Sequence, residues 1–304
     1  MRFAIIDLGT NTFHLLIAES TDKNFKVLFK TNMPVKLGEG KINDNQIIPA
    51  AFERGINALK DFRKIITEYN VDKVRATATS AVRSAENGKK FVLAAREEAN
   101  IAIEIISGDE EATLIYEGVK LSGAIKDCSL IMDIGGGSVE FILCDSEKLI
   151  WKKSYNIGAA RLMQQYFKSD PISDEEKNLI LAKVQNELLD LFEVCEKHQP
   201  KVLIGSAGAF ETFAELIIKK YNYPVNVSEA KTYDFNFDEY ISITLKLINS
   251  THAERAAMPG MISLRVDMCV VAALLANYTM GRLKINQLTL STYDLKMGVL
   301  ASLL

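Results

Sequence analysis

No apolar run in this sequence is long enough to cross a bilayer. The longest, MCVVAALLANY at 268–278, falls short of the roughly 18 residues that a spanning helix needs. A signal peptide is not expected either, because Asp7 interrupts the short apolar stretch that follows Arg2. Cysteine is scarce, with Cys128, Cys144, Cys195 and Cys269 the only four. None are spaced as C-x-x-C. Reduced buried thiols are therefore expected, not a disulfide framework. An excess of positive charge is missing too. With 36 Lys and Arg against 39 Asp and Glu, the net charge is −3, and bulk charge will not hold DNA or RNA. Any anionic ligand must be held locally, by a few basic side chains and oriented backbone N–H groups. The expectation is a soluble, cytoplasmic protein with neither nucleic acid nor membrane as partner.

What is present is a duplication. FAIIDLGTNTFHLLIAES (3–20) aligns without a gap on SLIMDIGGGSVEFILCDS (129–146). Asp7 falls on Asp133 and Gly9 on Gly135, and the offset is constant, 133 − 7 = 126. Each copy reads apolar run, Asp, small polar loop, apolar run, the pattern of a β-hairpin. The chain of 304 residues, 48% hydrophobic, has the length and apolar content for two cores. Two related α/β halves are expected, residues 1–124 and 125–304, with a cleft between them and the last helix free to pack back on the first half.

Local signals fill in the halves. A third strand is expected at 24–35, and Phe52, Ile56, Leu59, Phe62, Ile65 and Ile66 recur at helical spacing between 49 and 69. Strand 73–79, helix 88–99 and strand 101–106 lead to SGDEEA, a turn opening a helix with three acids in its first turn. The second half adds a strand at 147–155. Ser173 and Glu176 form a capping box before one long helix ending near His198. Strand, Gly turn and helix are expected across 201–216, helices at 237–249 and 264–280, a strand at 285–291 and a helix at 293–303.

The paired loops suggest phosphate chemistry. Gly9, Gly135, Gly136 and Gly137 let N–H groups come close to phosphate oxygens, and Thr10, Asn11, Thr12 and Ser138 add side-chain donors. Two facing loops would cradle successive phosphates. Asp7 and Asp133 beside phosphates would repel them unless a cation lies between, and Mg²⁺ typically serves. A Gly-rich turn alone is a weak signal, since GGG also suits a tight hairpin; the same Asp in both copies strengthens it.

The two loops resemble the phosphate-1 and phosphate-2 motifs of the actin, sugar-kinase and chaperone-ATPase superfamily. More narrowly, DLGTNTFHLLIA (7–18), ATSAVRSAENG (78–88), ISGDEEATLIYEGV (106–119) and DIGGGSVEF (133–141) resemble the exopolyphosphatase / guanosine pentaphosphate phosphohydrolase family. NIGAARL (156–162), LIGSAGAFETFA (203–214), SLRVDM and DLKMGVL match more faintly. The resemblance runs through nearly the whole chain and leaves no room for the extra C-terminal domains of long members. It implies two ribonuclease H-like (actin-like ATPase) domains, Mg²⁺ as cofactor with K⁺ stimulation, and a homodimer. Inorganic polyphosphate or guanosine pentaphosphate is the implied substrate.

The family's catalytic glutamate falls on Glu111, which would accept a proton from the attacking water. The plain alternative is a helix N-terminal acid, and Glu110 is left as orienting or structural. Asp133 and Glu140 are candidates for catalysis and for the metal and its waters, with Asp7 their analogue in the first half; a turn-capping carboxylate is the alternative for each. Glu140 would share a strand face with Ser138. Arg83 fits a phosphate clamp, against the alternative of a surface ion pair. Arg255, Arg265 and Lys296 are weaker candidates for a polyanion, and Lys23, Lys26, Lys219 and Lys220 read as solvated.

Four departures bear on substrate. His14 stands where many relatives have arginine, and Val139 replaces a common threonine. Ser206-Ala207-Gly208 replaces a Gly-rich turn that helps hold adenosine in ATP-using cousins, and DLKMG replaces an arginine-bearing stretch. Two other readings stay open: a kinase or ATPase of the wider superfamily with an adenosine pocket near 203–214, and a non-catalytic polyphosphate or alarmone sensor.

Overall fold

The computed structural model describes residues 1–20, 25–206 and 208–303; Lys23 and Ala207, weighed above, lie outside the described residues. Strands β1 (Arg2–Leu8), β2 (Thr12–Ser20), β3 (Phe25–Pro34), β4 (Lys73–Ala78) and β5 (Ile103–Ile105) form one sheet in the order β3-β2-β1-β4-β5. Strands β6 (Ser129–Ile134), β7 (Val139–Cys144), β8 (Leu149–Tyr155), β9 (Val202–Ser206), β10 (Thr232–Asp234) and β11 (Gln287–Ser291) form the other, in the order β10-β11-β9-β6-β7-β8. In both, an antiparallel meander of three strands continues into parallel strands, β1 with β4 and β5, and β6 with β9 and β11. Both halves thus repeat one α/β arrangement.

The duplication extends to register. Asp7 pairs with His14 and Thr77 on its two neighbouring strands. Asp133 pairs with Glu140 and Ser206 in the same way. Since 140 − 14 = 126, His14 is the first-half counterpart of Glu140.

Alternation along the strands explains why β1 and β6 read as unbroken apolar runs: both are covered on both faces. Ala4, Ile6 and Leu8 point into the first-half core with Phe62 and Phe91. They come from α1 (Pro49–Glu68) and α3 (Gly88–Ala99). Leu130 and Met132 point into the second-half core with Phe210, Phe213 and Tyr240. The intervening residues Phe3, Ile5 and Ile131 share a third core with α4 (Gly108–Ser122) and α12 (Leu295–Ala301). The end of the chain therefore packs against the first half, and the two halves share a core. Where α12 crosses α4, a Cβ on Gly118 would overlap the Asp294 carbonyl and one on Gly298 the Leu114 carbonyl. Only glycine permits that backbone approach.

Most second-half helices surround the core formed by β6–β11. They are α5 (Ala159–Tyr166), α6 (Asp174–Glu187), α7 (Leu189–His198), α8 (Gly208–Tyr221), α9 (Phe237–Asn249), α10 (His252–Ala256) and α11 (Met268–Leu283). Together with α2 (Ser80–Ser84) they contain the departures from expectation. The Ser173/Glu176 capping box is present, but the long helix it opens breaks at Leu188, a buried residue whose backbone leaves the helical region (ψ 15°). The helix expected from 264 begins at Met268, after a 3₁₀ turn at Ser263–Arg265. The short elements α2, α5, α10 and β10 were not anticipated. No helix among the described residues is long and apolar enough to cross a membrane.

Candidate active site

The two hairpin loops close in the same way. Gly9 N–H donates to Thr12 O at 3.1 Å, and Gly135 N–H donates to Ser138 O at 3.0 Å. They also touch each other. A Cβ on Gly137 would stand 2.5 Å from Ser80 Oγ and 2.9 Å from Thr10 Oγ1, and one on Gly136 would overlap the Asn11 amide. The glycines of the second loop are thus needed to let the first loop approach. Asn11 Nδ2 reaches further into the second half, donating to Met268 Sδ at 3.0 Å. The loops border a cavity of about 980 Å³, lined by residues 9–12 and 135–138 together with Asp7, Asp133, Glu140 and Glu111.

Asp7 and Asp133 sit near the ends of β1 and β6, and Glu140 lies opposite Asp133 at the start of β7. Glu111 is in the first turn of α4, capped by the Ser107 hydroxyl, which accepts from Glu110 N–H at 3.1 Å. Ser206 Oγ donates to Asp133 at 2.8 Å and Ser154 Oγ to Glu140 at 2.6 Å. Burial pushes the Asp7 carboxyl up to about 6 against the pull of Lys296. Asp133 and Glu140 are both pushed up to about 7, mainly by burial. Burial and the neighbouring Glu140 hold Glu111 well above the usual carboxylate range, with Arg83 acting the other way. Such upward shifts are the mark of carboxylates gathered where water is sparse.

The cations are placed unequally. Arg83 is not among the residues that line the cavity; its Nη1 donates to Glu111 Oε2 at 2.7 Å and to Ile106 O at 3.1 Å. Lys296 does line the cavity, on an ion pair with Asp294. Burial works against its ammonium, but Asp294 and Asp7 outweigh burial and hold its pKa up. Arg265 lines the cavity while bonded to Gly208 O and to Thr212 Oγ1 at 2.8 Å. Arg255 is elsewhere. It is fully buried between Asp170 and Asp267, at 3.1 and 2.7 Å, so the expectation that it holds a polyanion gives way to a structural ion-pair role. His14 is neutral, because burial and the charges of Lys296 and Arg265 depress its pKa well below 6.5.

A hard cation fits this donor set. Glu111, Asp133 and Glu140 are buried, and the buried Oδ1 atom of Asp7 has no hydrogen-bond partner. Among the described residues no three His, Cys, Asp or Glu side chains converge closely enough to enclose a metal. A cation here would rest on one or two carboxylates and keep several waters, as Mg²⁺ does.

The Ppx/GppA phosphatase family profile matches residues 16–304. The chain belongs to that family. It is similar to a Haemophilus influenzae protein provisionally named an exopolyphosphatase, 29% identical over 303 residues, covering 99% of this chain and 91% of that one. Among solved structures it is similar to an exopolyphosphatase from Cytophaga hutchinsonii, at 37% identity and a TM-score of 0.97, covering 100% and 97% of the two chains. It is also similar to the Aquifex aeolicus PPX-GPPA enzyme, at 25% identity and a TM-score of 0.81 over 99% of each.

Ser154 and Asp294 escaped sequence reasoning in this Ppx/GppA phosphatase, while Lys296 was expected only as a weaker candidate for a polyanion. Ser154 meets Glu140 because β8 pairs with β7 in the register Glu140↔Ser154. The charges of Asp294 and Lys296 act on Asp7 because α12 folds back. Pairing register would have exposed the first; no local signal announces the second.

Proposed function

We propose that this phosphatase hydrolyses the terminal phosphoanhydride of inorganic polyphosphate. The observation that carries the reading is the contact between two glycine loops at a cleft that also holds Glu111, Asp133 and Glu140. Backbone N–H groups and hydroxyls of both loops would hold successive phosphates. Water bound beside Glu111 gives its proton to the carboxylate as its oxygen bonds to the terminal phosphorus. The bridging P–O bond breaks, and the shortened chain leaves with the bridging oxygen. A carboxyl held above its usual range is a stronger base than a free one, and the Arg83 ion pair favours its ionised form. One or two of Asp133, Glu140 and Asp7 would hold Mg²⁺, which keeps several waters, and the ion, when bound, would offset phosphate charge. Positioning and electrostatics supply most of the acceleration in such transfers.

The cavity volume, about 980 Å³, leaves room for a nucleoside as well as a phosphate chain, so guanosine pentaphosphate belongs to the same proposal. The test is phosphate release with Mg²⁺ from long-chain polyphosphate, guanosine pentaphosphate and ATP, with Glu111→Ala as control. Release from polyphosphate that drops about 100-fold or more in the variant supports the reading. Release from ATP alone, or an undiminished variant, would overturn it.

A further inference from the structure

Behind the two loops, a second connection joins the halves. Residues 35–46 leave β3 and run along the back of the first loop. Val35 and Lys36 N–H donate to Asn11 O at 3.0 and 2.8 Å, and Gly38 N–H donates to Thr10 O at 3.1 Å. The far side of this segment meets α5. Gln164 Nε2 donates to Gly38 O at 2.8 Å, and Asn43 Nδ2 donates to Arg161 O at 3.1 Å. The first turn of α5 is bonded in turn to the second loop: Ala159 N–H to Gly135 O at 2.9 Å, and Ala160 and Arg161 N–H to Gly136 O at 2.9 and 3.1 Å.

Arg161 is where these bonds converge. Its Nη1 donates to Ile42 O at 3.0 Å and to Asn43 Oδ1 at 3.4 Å, and its Nε donates to Gly137 O at 3.2 Å. One planar guanidinium thus spans a carbonyl of the first half and a carbonyl of the second phosphate loop. It forms no ion pair with a carboxylate among the described residues. A fork with five donors in fixed directions suits that task, and a lysine ammonium does not.

We infer that Arg161 is a positioning residue that fixes the spacing of the two phosphate loops by tying the second loop to residues 42 and 43. This rests on the reading of the loops as sites for successive phosphates. Without the tie, a substrate engages one half-site well and the other poorly. Binding weakens, while Glu111 and its surroundings are untouched.

The test compares wild type with Arg161→Met, Arg161→Lys and, from the other side of the tie, Asn43→Ala. Two measurements are made: kcat and KM on polyphosphate with Mg²⁺, and amide hydrogen exchange resolved along the chain. Arg161→Met is expected to raise KM about tenfold or more with kcat within about threefold. Exchange at 36–43 should quicken while the three cores keep wild-type protection. Arg161→Lys should recover only part of the loss, and Asn43→Ala should move the same two readouts less far. A fall in kcat at unchanged KM would mean lost folded enzyme and would overturn the inference. So would wild-type exchange at 36–43 in a folded Arg161→Met protein. If Arg161→Met does not fold, Asn43→Ala decides by the same criteria. If the wild type releases no phosphate from polyphosphate, the proposed function fails, and exchange alone judges the tie.

Discussion

Glu111 and Arg83 form the ion pair on which the proposed chemistry turns. The carboxyl is buried near Glu140, and the guanidinium bonded to it at 2.7 Å opposes both effects. Removing that cation leaves a buried acid with less reason to ionise. A general base acts only when deprotonated, so loss of Arg83 must move the acidic limb of the rate profile to higher pH. Arg83→Met is expected to shift the acidic limb of kcat/KM upward by about one unit or more. A rate–pH series from 5 to 9 checks this; an unmoved limb would detach the pair from the rate-determining proton transfer. The sequence signalled Glu111, Asp133 and Glu140 because their positions are local: a helix first turn, a strand end, and the residue after a glycine turn. It gave no equal signal for Asp294 and Lys296, whose effect on Asp7 depends on a helix returning from the far end of the chain. It also left Arg83 as a phosphate ligand in prospect, since nothing in ATSAVRSAENG says which carboxylate will stand beside it.

Helices α4 and α12 cross with their backbones in contact, and Gly118 and Gly298 make the crossing possible. A methyl group on Gly298 would overlap the Leu114 carbonyl, and neither backbone has a flexible end to move aside. Gly298→Ala is expected to destabilise the fold by about 3 kcal/mol, at the upper end of ordinary overpacking, read as a lowered urea midpoint at unchanged slope. A neutral substitution would show that the crossing has slack. Apolar runs broken by small polar loops made the hairpins readable, and acids in a first turn made the opening of α4 so. The elements that were missed are short, α2, α5, α10 and β10, and too brief to show a hydrophobic period. The break at Leu188 was invisible for a different reason: no Gly or Pro marks it.

At the scale of the whole molecule, the cleft concentrates negative charge that the fold itself leaves unneutralised. Unfolded carboxylates titrate near 4, whereas Asp7 is held at about 6 and Asp133 and Glu140 at about 7. Between those values the folded protein keeps protons that the unfolded chain has released. Stability therefore falls as pH rises through the window from about 4 to 7. Glu111, also held up, adds to this trend, and His14 acts in the opposite sense below 6.5, one group against four. Without divalent cations the melting temperature is expected to fall between pH 5 and 8, and Mg²⁺ should raise it more at 8 than at 5. Thermal melts at the two pH values, with and without the ion, check both statements. An equal Mg²⁺ effect at both would argue against the carboxylates as its holders. The duplication, its constant offset and the two-core arrangement were legible because repetition survives in residue order. The third core was not, because its members are drawn from both halves.

That third core bears on the order in which the protein is made. On the ribosome, α4 emerges long before α12, while Leu114, Ile115 and Val119 depend on Leu295, Val299 and Leu300 for part of their cover. The first half is therefore synthesised with an oily flank that stays partly open until α12 follows. A nascent chain paused near the middle would present that flank to other chains or to chaperones.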